Sequence, residues 1–339
     1  MAGFGVLLAS SVGAGCGAGS VCKFEGTVNA PEQRSMRRGM MATGLDAFCK
    51  KMLRRSAPLK VASDAPSTGR FFTRSCAQRT LGNGDLDVSF GGEGYAYSPL
   101  TQKLVFESQN SVAYTQDFKA VSNAQGCGIY GLFKPANVAY ANFRIRGIQA
   151  STADNLFGNS LVQAFGSQVV SSKIGEGFTV VRDASGGEQV SFGVSATPRA
   201  EEFAATGDWL RYESARVDLH GEQRDFIGPI DVSQTAALRL RTRVDGGVAV
   251  EAFLVSEAMG TQALAAYLGA PQAQPMAGIP LRALTLAPGA ALDTRIRLAK
   301  GSYYVVLDNT SSAGMVAPPV ATMHDAVATV SYAVELLER

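Results

Sequence analysis

The chain has 339 residues, more than one hydrophobic core usually serves, so two domains of about 100–150 residues each are expected. Its formal net charge of +2 supplies no field over the whole chain for a polyanion, and nucleic acid is excluded as a partner. No period of about 20–50 residues recurs, which argues against a solenoid.

Residues 4–15 form an apolar run of small residues with the character of a secretion-signal core, too short to cross a bilayer. Ala14 and Gly15 lead into Cys16, which resembles the end of a bacterial lipoprotein signal. The resemblance implies that residues 1–22 are a signal segment and that Cys16 is lipidated, placing an exported protein in the periplasm or at the outer membrane or cell surface. Five cysteines are present, all within the first 127 residues. Setting Cys16 aside leaves four with three possible pairings, of which Cys49 with Cys76 would pin the first helix to the strands after it. Buried reduced thiols are the other reading.

Met41, Leu45, Phe48 and Met52 recur at helical spacing, so a basic amphipathic helix is expected near 36–55. Its cationic side either rests on anionic lipid head groups or is an ordinary solvated face. Residues 56–84, with Pro58, Pro66, Gly69 and Gly82, read as loop. Alternation then predicts short antiparallel strands around Leu86 to Phe90, Tyr95 to Tyr97, Leu104 to Phe106, Val112 to Tyr114, 126–133 and 138–145.

A second helix is expected over 152–174. Phe157, Leu161, Phe165 and Val169 make its apolar stripe, and the opposite stripe of Asn155, Asn159, Gln163, Ser167 and Ser171 carries no charge. A helix without a charged side is either covered on both faces or lines an interface. Strands follow over 177–182 and 189–194. The succession of helix, meander, helix and strand pair resembles half of a tubular lipid-binding domain. That resemblance implies an apolar ligand, such as a lipid, held between sheet and helix, with Phe157, Leu161, Phe165 and Val169 lining the groove.

Residues 196–207 read as a linker between a domain over 23–195 and another over 208–339. In the second, Leu238, Leu240 and Val244 alternate with Arg239, Arg241 and Arg243, which places the arginines on a wet face. Such a ladder either binds an anion or is a solvated, salt-bridged sheet surface. Strands are also expected at 248–254, 292–298, 303–308 and 327–336, and a short helix at 258–268. The run from Leu298 through Lys300, Gly301, Tyr303 and Tyr304 to Leu307 resembles a hairpin of pre-peptidase C-terminal-type domains, and implies an accessory β-sandwich of exported proteins with no chemistry of its own. Two stretches, 258–281 and 310–323, lack charge. They either meet a partner or fold back over an open end of the sandwich.

Only two histidines, His220 and His324, are present, and no zinc, serine-triad or phosphate-cradle motif occurs. Asp308 and Asn309 are too few for a calcium site. The expected fold class is therefore α+β, an antiparallel meander with two amphipathic helices followed by an all-β sandwich. The expected protein is not an enzyme and takes no cofactor or metal. It is an exported cell-envelope protein that binds an apolar small molecule or lipid, or alternatively a structural or adhesive module binding an envelope protein or glycan through its sandwich loops; a hydrolase with a scattered site, built on His220 or His324 with an acid and a nucleophile, is the remaining alternative.

Overall fold

The computed structural model describes residues 22–35, 48–60, 65–82, 85–97, 103–123, 126–146, 177–183, 188–192, 203, 209–270, 273–312, 314 and 327–338. Within them the chain is predominantly β-sheet. The amino-terminal part holds a short helix α1 (Glu25–Val28), helix α2 (Phe48–Leu53) and strands β1 (Ser56–Lys60), β2 (Ser67–Thr80), β3 (Leu86–Tyr97), β4 (Lys103–Asn123), β5 (Gly126–Arg146), β6 (Phe178–Asp183) and β7 (Glu188–Phe192). The expected helix near 36–55 is described only as α2, and the one over 152–174 lies outside the described residues.

The carboxy-terminal part holds β8 (Leu210–Leu219), β9 (Gln223–Val232), β10 (Ala236–Asp245), β11 (Val250–Ser256), helix α3 (Glu257–Gly269), β12 (Arg282–Leu286), β13 (Ala291–Leu298), β14 (Gly301–Asn309) and β15 (Ala328–Glu338). One sheet runs β13-β10-β15-β8 and the other β12-β11-β14-β9. The chain changes sheet at every connection except β11 to β12, which is the double Greek key of a jelly roll. Leu238, Leu240, Val305, Leu307, Val330 and Val334 are all buried between the sheets.

The meander does not form a separate sheet. Strands β2 through β7 continue the first sheet beyond β8, through a parallel bridge between Ser67 and Val217. The expected linker thus falls between β7 and β8 in the chain, while the two halves remain joined through β2.

Two expectations about the meander are corrected. Residues 56–60 and 67–80 are strands rather than loop, paired with each other from Ser56 opposite Phe72 to Lys60 opposite Ser67. Pro58 and Gly69, two of the residues that suggested a loop, lie within these strands, and the polar Ser56, Ser67, Arg70 and Thr73 are buried there. The short strands predicted farther on also fuse in pairs, into β3, β4 and β5. In β4 the even positions from Leu104 to Ala120 are all buried, but Ser108, Asn110 and Gln116 interrupt the apolar row and hide its continuity in the sequence. Ser108 donates to Asn110 at 3.1 Å, satisfying one hydroxyl within that row.

The glycines of Gly91 to Gly94 serve packing in β3. A Cβ at Gly92 would stand 2.1 Å from the Phe72 carbonyl oxygen, and one at Gly94 2.4 Å from that of Arg70. Only glycine lets β2 and β3 approach so closely. The apolar face of the meander is aromatic. Phe133 stacks on Phe178 with centroids 4.2 Å apart, and Phe71 lies against Phe90 and Phe106 at 6.3 and 6.2 Å. Cys49 and Met52 of α2 pack against this layer.

The candidate site is a charged seam between the two halves

The strongest concentration of buried charge lies where β2 closes the side of the jelly roll. Arg70, on β2, is fully buried. Its guanidinium forms a two-pronged pair with Asp225 of β9, Nε to Oδ1 at 2.8 Å and Nη2 to Oδ2 at 2.7 Å. It also donates to Ser56 Oγ at 3.0 Å, to Glu213 Oε2 at 3.1 Å and to the Tyr332 hydroxyl at 2.7 Å. Tyr332 in turn donates to Glu213, and Tyr95 donates to Asp225 at 2.7 Å.

Burial alone would favour a neutral Arg70, but Asp225 and Glu213 outweigh it and hold the proton more tightly than usual. Burial, together with the Asp225 charge, pushes the Tyr95 hydroxyl well above its usual range, so it stays a donor. Tyr332 is raised by burial too, with Arg70 opposing and Glu213 reinforcing the shift.

A second cluster lies one residue away on β9. Arg224 is 1% exposed and pairs across the strands with Asp308 at 2.7 Å. Its remaining donors reach the Gln274 carbonyl at 2.6 Å, Thr310 Oγ1 at 3.0 Å and Ser312 Oγ at 2.8 Å. One guanidinium therefore holds parts of both charge-free stretches against the sandwich. Burial raises the Asp308 carboxyl above its usual range despite Arg224. Asp308, weighed in the sequence as a calcium ligand, is committed to an arginine.

Beside this cluster Tyr97 and Tyr267 share a hydroxyl hydrogen bond, and Lys103 lies 3.9 Å from the Tyr267 ring centroid. The Lys103 ammonium donates to the Tyr267 and Ala270 carbonyls at 2.6 and 2.7 Å, capping the end of α3 with a positive charge. Burial, aided by Arg224, lowers the Lys103 ammonium to about 8. Helix α3 is capped by Ser256, whose hydroxyl accepts from the Met259 amide. Gly260 lets it lie on β14, since a Cβ there would stand 2.3 Å from the Tyr304 ring.

The residues singled out in the sequence are distributed differently. Cys49 and Cys76 are joined, with sulfurs 2.06 Å apart, and Cys22 is also disulfide-bonded. Cys16, Phe157, Leu161, Phe165 and Val169 lie outside the described residues, as does His324. His220 follows β8, where its amide donates to Gln223 at 3.0 Å.

The arginine ladder is salt-bridged, Arg239 to Asp293, Arg241 to Glu335 and Arg243 to Asp245, but its expected wetness is corrected. Leu238 and Leu240 face inward as expected, but of the three arginines only Arg243 is exposed. Arg241 is buried because Glu335 of β15, itself fully buried, lies 2.8 Å away and also takes Arg211 at 2.9 Å. Phe203 covers the Arg241 guanidinium, and Trp209 lies against those of Arg239 and Arg295.

Sequence reasoning passed over Arg70, Glu213, Asp225, Arg224 and Tyr332. The available signal was a charge set inside a strand-like apolar run, as Asp225 is before Phe226 and Ile227. In both clusters the acids are engaged by arginine or tyrosine, with Asp225 and Asp308 fully buried and Glu213 partly so. Among the described residues no group of histidine, cysteine, aspartate and glutamate could hold a metal ion.

Neither family models nor curated proteins match the chain. Among solved structures, a chain from the Bacillus endospore appendages, described as a novel family of disulfide-linked pili, aligns at 11% identity and a TM-score of 0.22, covering 40% of this chain and 96% of that one.

Proposed function

We propose that the protein is a non-catalytic structural module of the cell envelope, a jelly roll braced by a long meander, which presents its sandwich loops to another protein or a glycan. The observation that carries this reading is the commitment of the buried charges to holding strands and loops in place: Arg70 ties β2 to β9, and Arg224 ties down Gln274, Thr310 and Ser312. Export is part of the proposal, and the Cys49 to Cys76 disulfide suits an oxidising compartment. Attachment through a lipidated Cys16 completes it. Intact mass of protein extracted from membranes tests the anchor, which requires an acylated chain beginning at Cys16. Loop binding is tested by pull-down from envelope extract, comparing the native chain with one whose residues 275–279 are replaced by Gly and Ser; loss of the captured partner supports the reading and unchanged capture refutes it.

A second reading has its own support in the aromatic layer of Phe71, Phe106, Phe133 and Phe178. Here the amino-terminal half is an α+β domain whose helices near 36–55 and 152–174 lie on that layer, and Phe157, Leu161, Phe165 and Val169 hold a lipid or another apolar molecule. Native mass spectrometry of envelope-purified protein distinguishes it: a bound apolar mass supports ligand binding, and a ligand-free mass removes it.

A further inference from the structure

Several sheet edges among the described residues are protected in different ways. Strand β4 runs past its last β3 pair, Tyr114 with Leu86, and the overhang is closed by side chains from the chain's beginning. Asn29 both accepts from the Ala120 amide and donates to its carbonyl at 2.8 Å, Glu25 accepts from Ser122 at 3.1 Å, and Arg34 donates to the Gln116 carbonyl at 3.4 Å. On β9 the alternate amides of Arg224, Phe226 and Gly228 donate to the hydroxyls of Tyr267, Tyr95 and Ser56 at 3.0, 3.1 and 3.4 Å. Strand β8 is covered by β2, and the β13 edge carries exposed Asp293, Arg295 and Arg297. These are the usual devices against adding a further strand.

Strand β12 has few of them. It ends the sheet beyond β11, and among the described residues no side chain caps its outer backbone. Its only charge is Arg282, at one end. Just before it, Ile279 is 92% and Leu281 57% exposed.

We propose that β12 pairs with β12 of a second copy, antiparallel about a twofold axis at Leu284, joining two four-stranded sheets into one of eight. The sequence of the edge is complementary to itself in this register. Leu284 meets Leu284, Ala283 meets Thr285, and Arg282 meets Leu286, so the two guanidiniums sit at opposite ends and no like charges face each other. Leu281 falls opposite Ala287, which covers an apolar side chain now in water. Pairing with β13 of another copy would instead leave β12 and β13 free at the two ends, and would build an open chain.

The inference goes beyond the loop-binding reading and stands without it. Sedimentation velocity of the full chain over a concentration series should show monomer and dimer in exchange and no larger species. A283K/T285K places lysine against lysine twice in the proposed register and should leave only monomer. A283K/T285E places each lysine against a glutamate and should keep the dimer. Ala283 and Thr285 are exposed, and circular dichroism should show both variants folded. A native chain that is monomeric throughout, an open series of oligomers, a dimer that survives A283K/T285K, or the loss of the dimer in A283K/T285E would each overturn the proposal. None of these results bears on capture of a different partner by the loops.

Discussion

The jelly roll and the meander bury their apolar surface with different chemistry. Between the two sheets of the jelly roll the core is aliphatic, with Tyr303 and Tyr332 as its buried aromatic members. Facing sheets about 10 Å apart interdigitate, and branched aliphatic side chains fill that space from both sides. The meander's core is instead dominated by Phe71, Phe90, Phe106, Phe118, Phe133 and Phe178, with Tyr114. Among the described residues no second sheet faces that layer, and wide rings cover more of it per residue. At the junction neither solution is used alone. Phe72, Tyr95 and Tyr97 of the meander meet Phe226, Phe253, Tyr267 and Tyr304, beside the Arg70 and Arg224 ion clusters. Hydroxyls and charges demand specific partners, so they fix how one half sits on the other where apolar packing alone would allow sliding.

The junction is where a single substitution should cost most. Arg70→Met leaves Asp225 and Glu213 in place without their guanidinium, and removing one partner of a buried pair costs about 3–5 kcal/mol. Urea titration should show that loss, and R70M/D225L, which also removes the stranded Asp225 carboxylate, should recover most of it. Within the meander, Phe133→Ala breaks the stack on Phe178 and opens a cavity, with an expected loss of about 3–4 kcal/mol. Phe133→Leu should lose clearly less in the same titration, since much of the volume is retained.

A smaller effect is expected from pH. Lys103 is lowered to about 8 from 10.5 in the unfolded chain, so between these values the unfolded state holds a proton that the folded state has released. Stability should therefore rise with pH across this window, and the rise should flatten in Lys103→Met. Above pH 10 the raised Tyr95, Tyr267 and Tyr332 act in the opposite direction, because the folded state then keeps protons that the unfolded state loses. The midpoint of thermal unfolding followed across buffers reads both slopes. The smallest change is expected on the junction's outer side, where Arg54 meets Asp231 at 2.5 Å and Glu257 at 2.9 Å, all nearly half exposed. Solvent screens such pairs, and Arg54→Ala should cost less than about 1 kcal/mol. A loss as large as that of Arg70→Met would undo the distinction between the dry and wet sides of the junction.

Much of the jelly roll was legible in the sequence because its strands either alternate or run apolar. The alternation of Leu238 to Val244 and of 292–298 marks β10 and β13, the apolar run 303–308 marks β14 as a buried strand, and the short helix expected at 258–268 is α3. Strands β8 and β9 were not marked. In β9, buried Arg224, Asp225 and Phe226 follow one another, so inside and outside no longer differ in polarity. The same effect concealed β2, where Arg70 is as buried as the phenylalanines beside it. The arginine ladder shows the limit from the other direction. Period-two spacing tells that Arg241 points away from Leu240, but its burial depends on Glu335, 94 residues further on. A pattern reports the face of a strand, whereas the partner that dries that face comes from a distant part of the chain.

The central claim is that the charged seam makes jelly roll and meander one cooperative body. Differential scanning calorimetry of the oxidised full chain tests it most directly. One transition, with calorimetric and van't Hoff enthalpies that agree, is predicted for the native protein, and splitting into two is predicted for Arg70→Met. Two separate transitions in the native protein would contradict the claim.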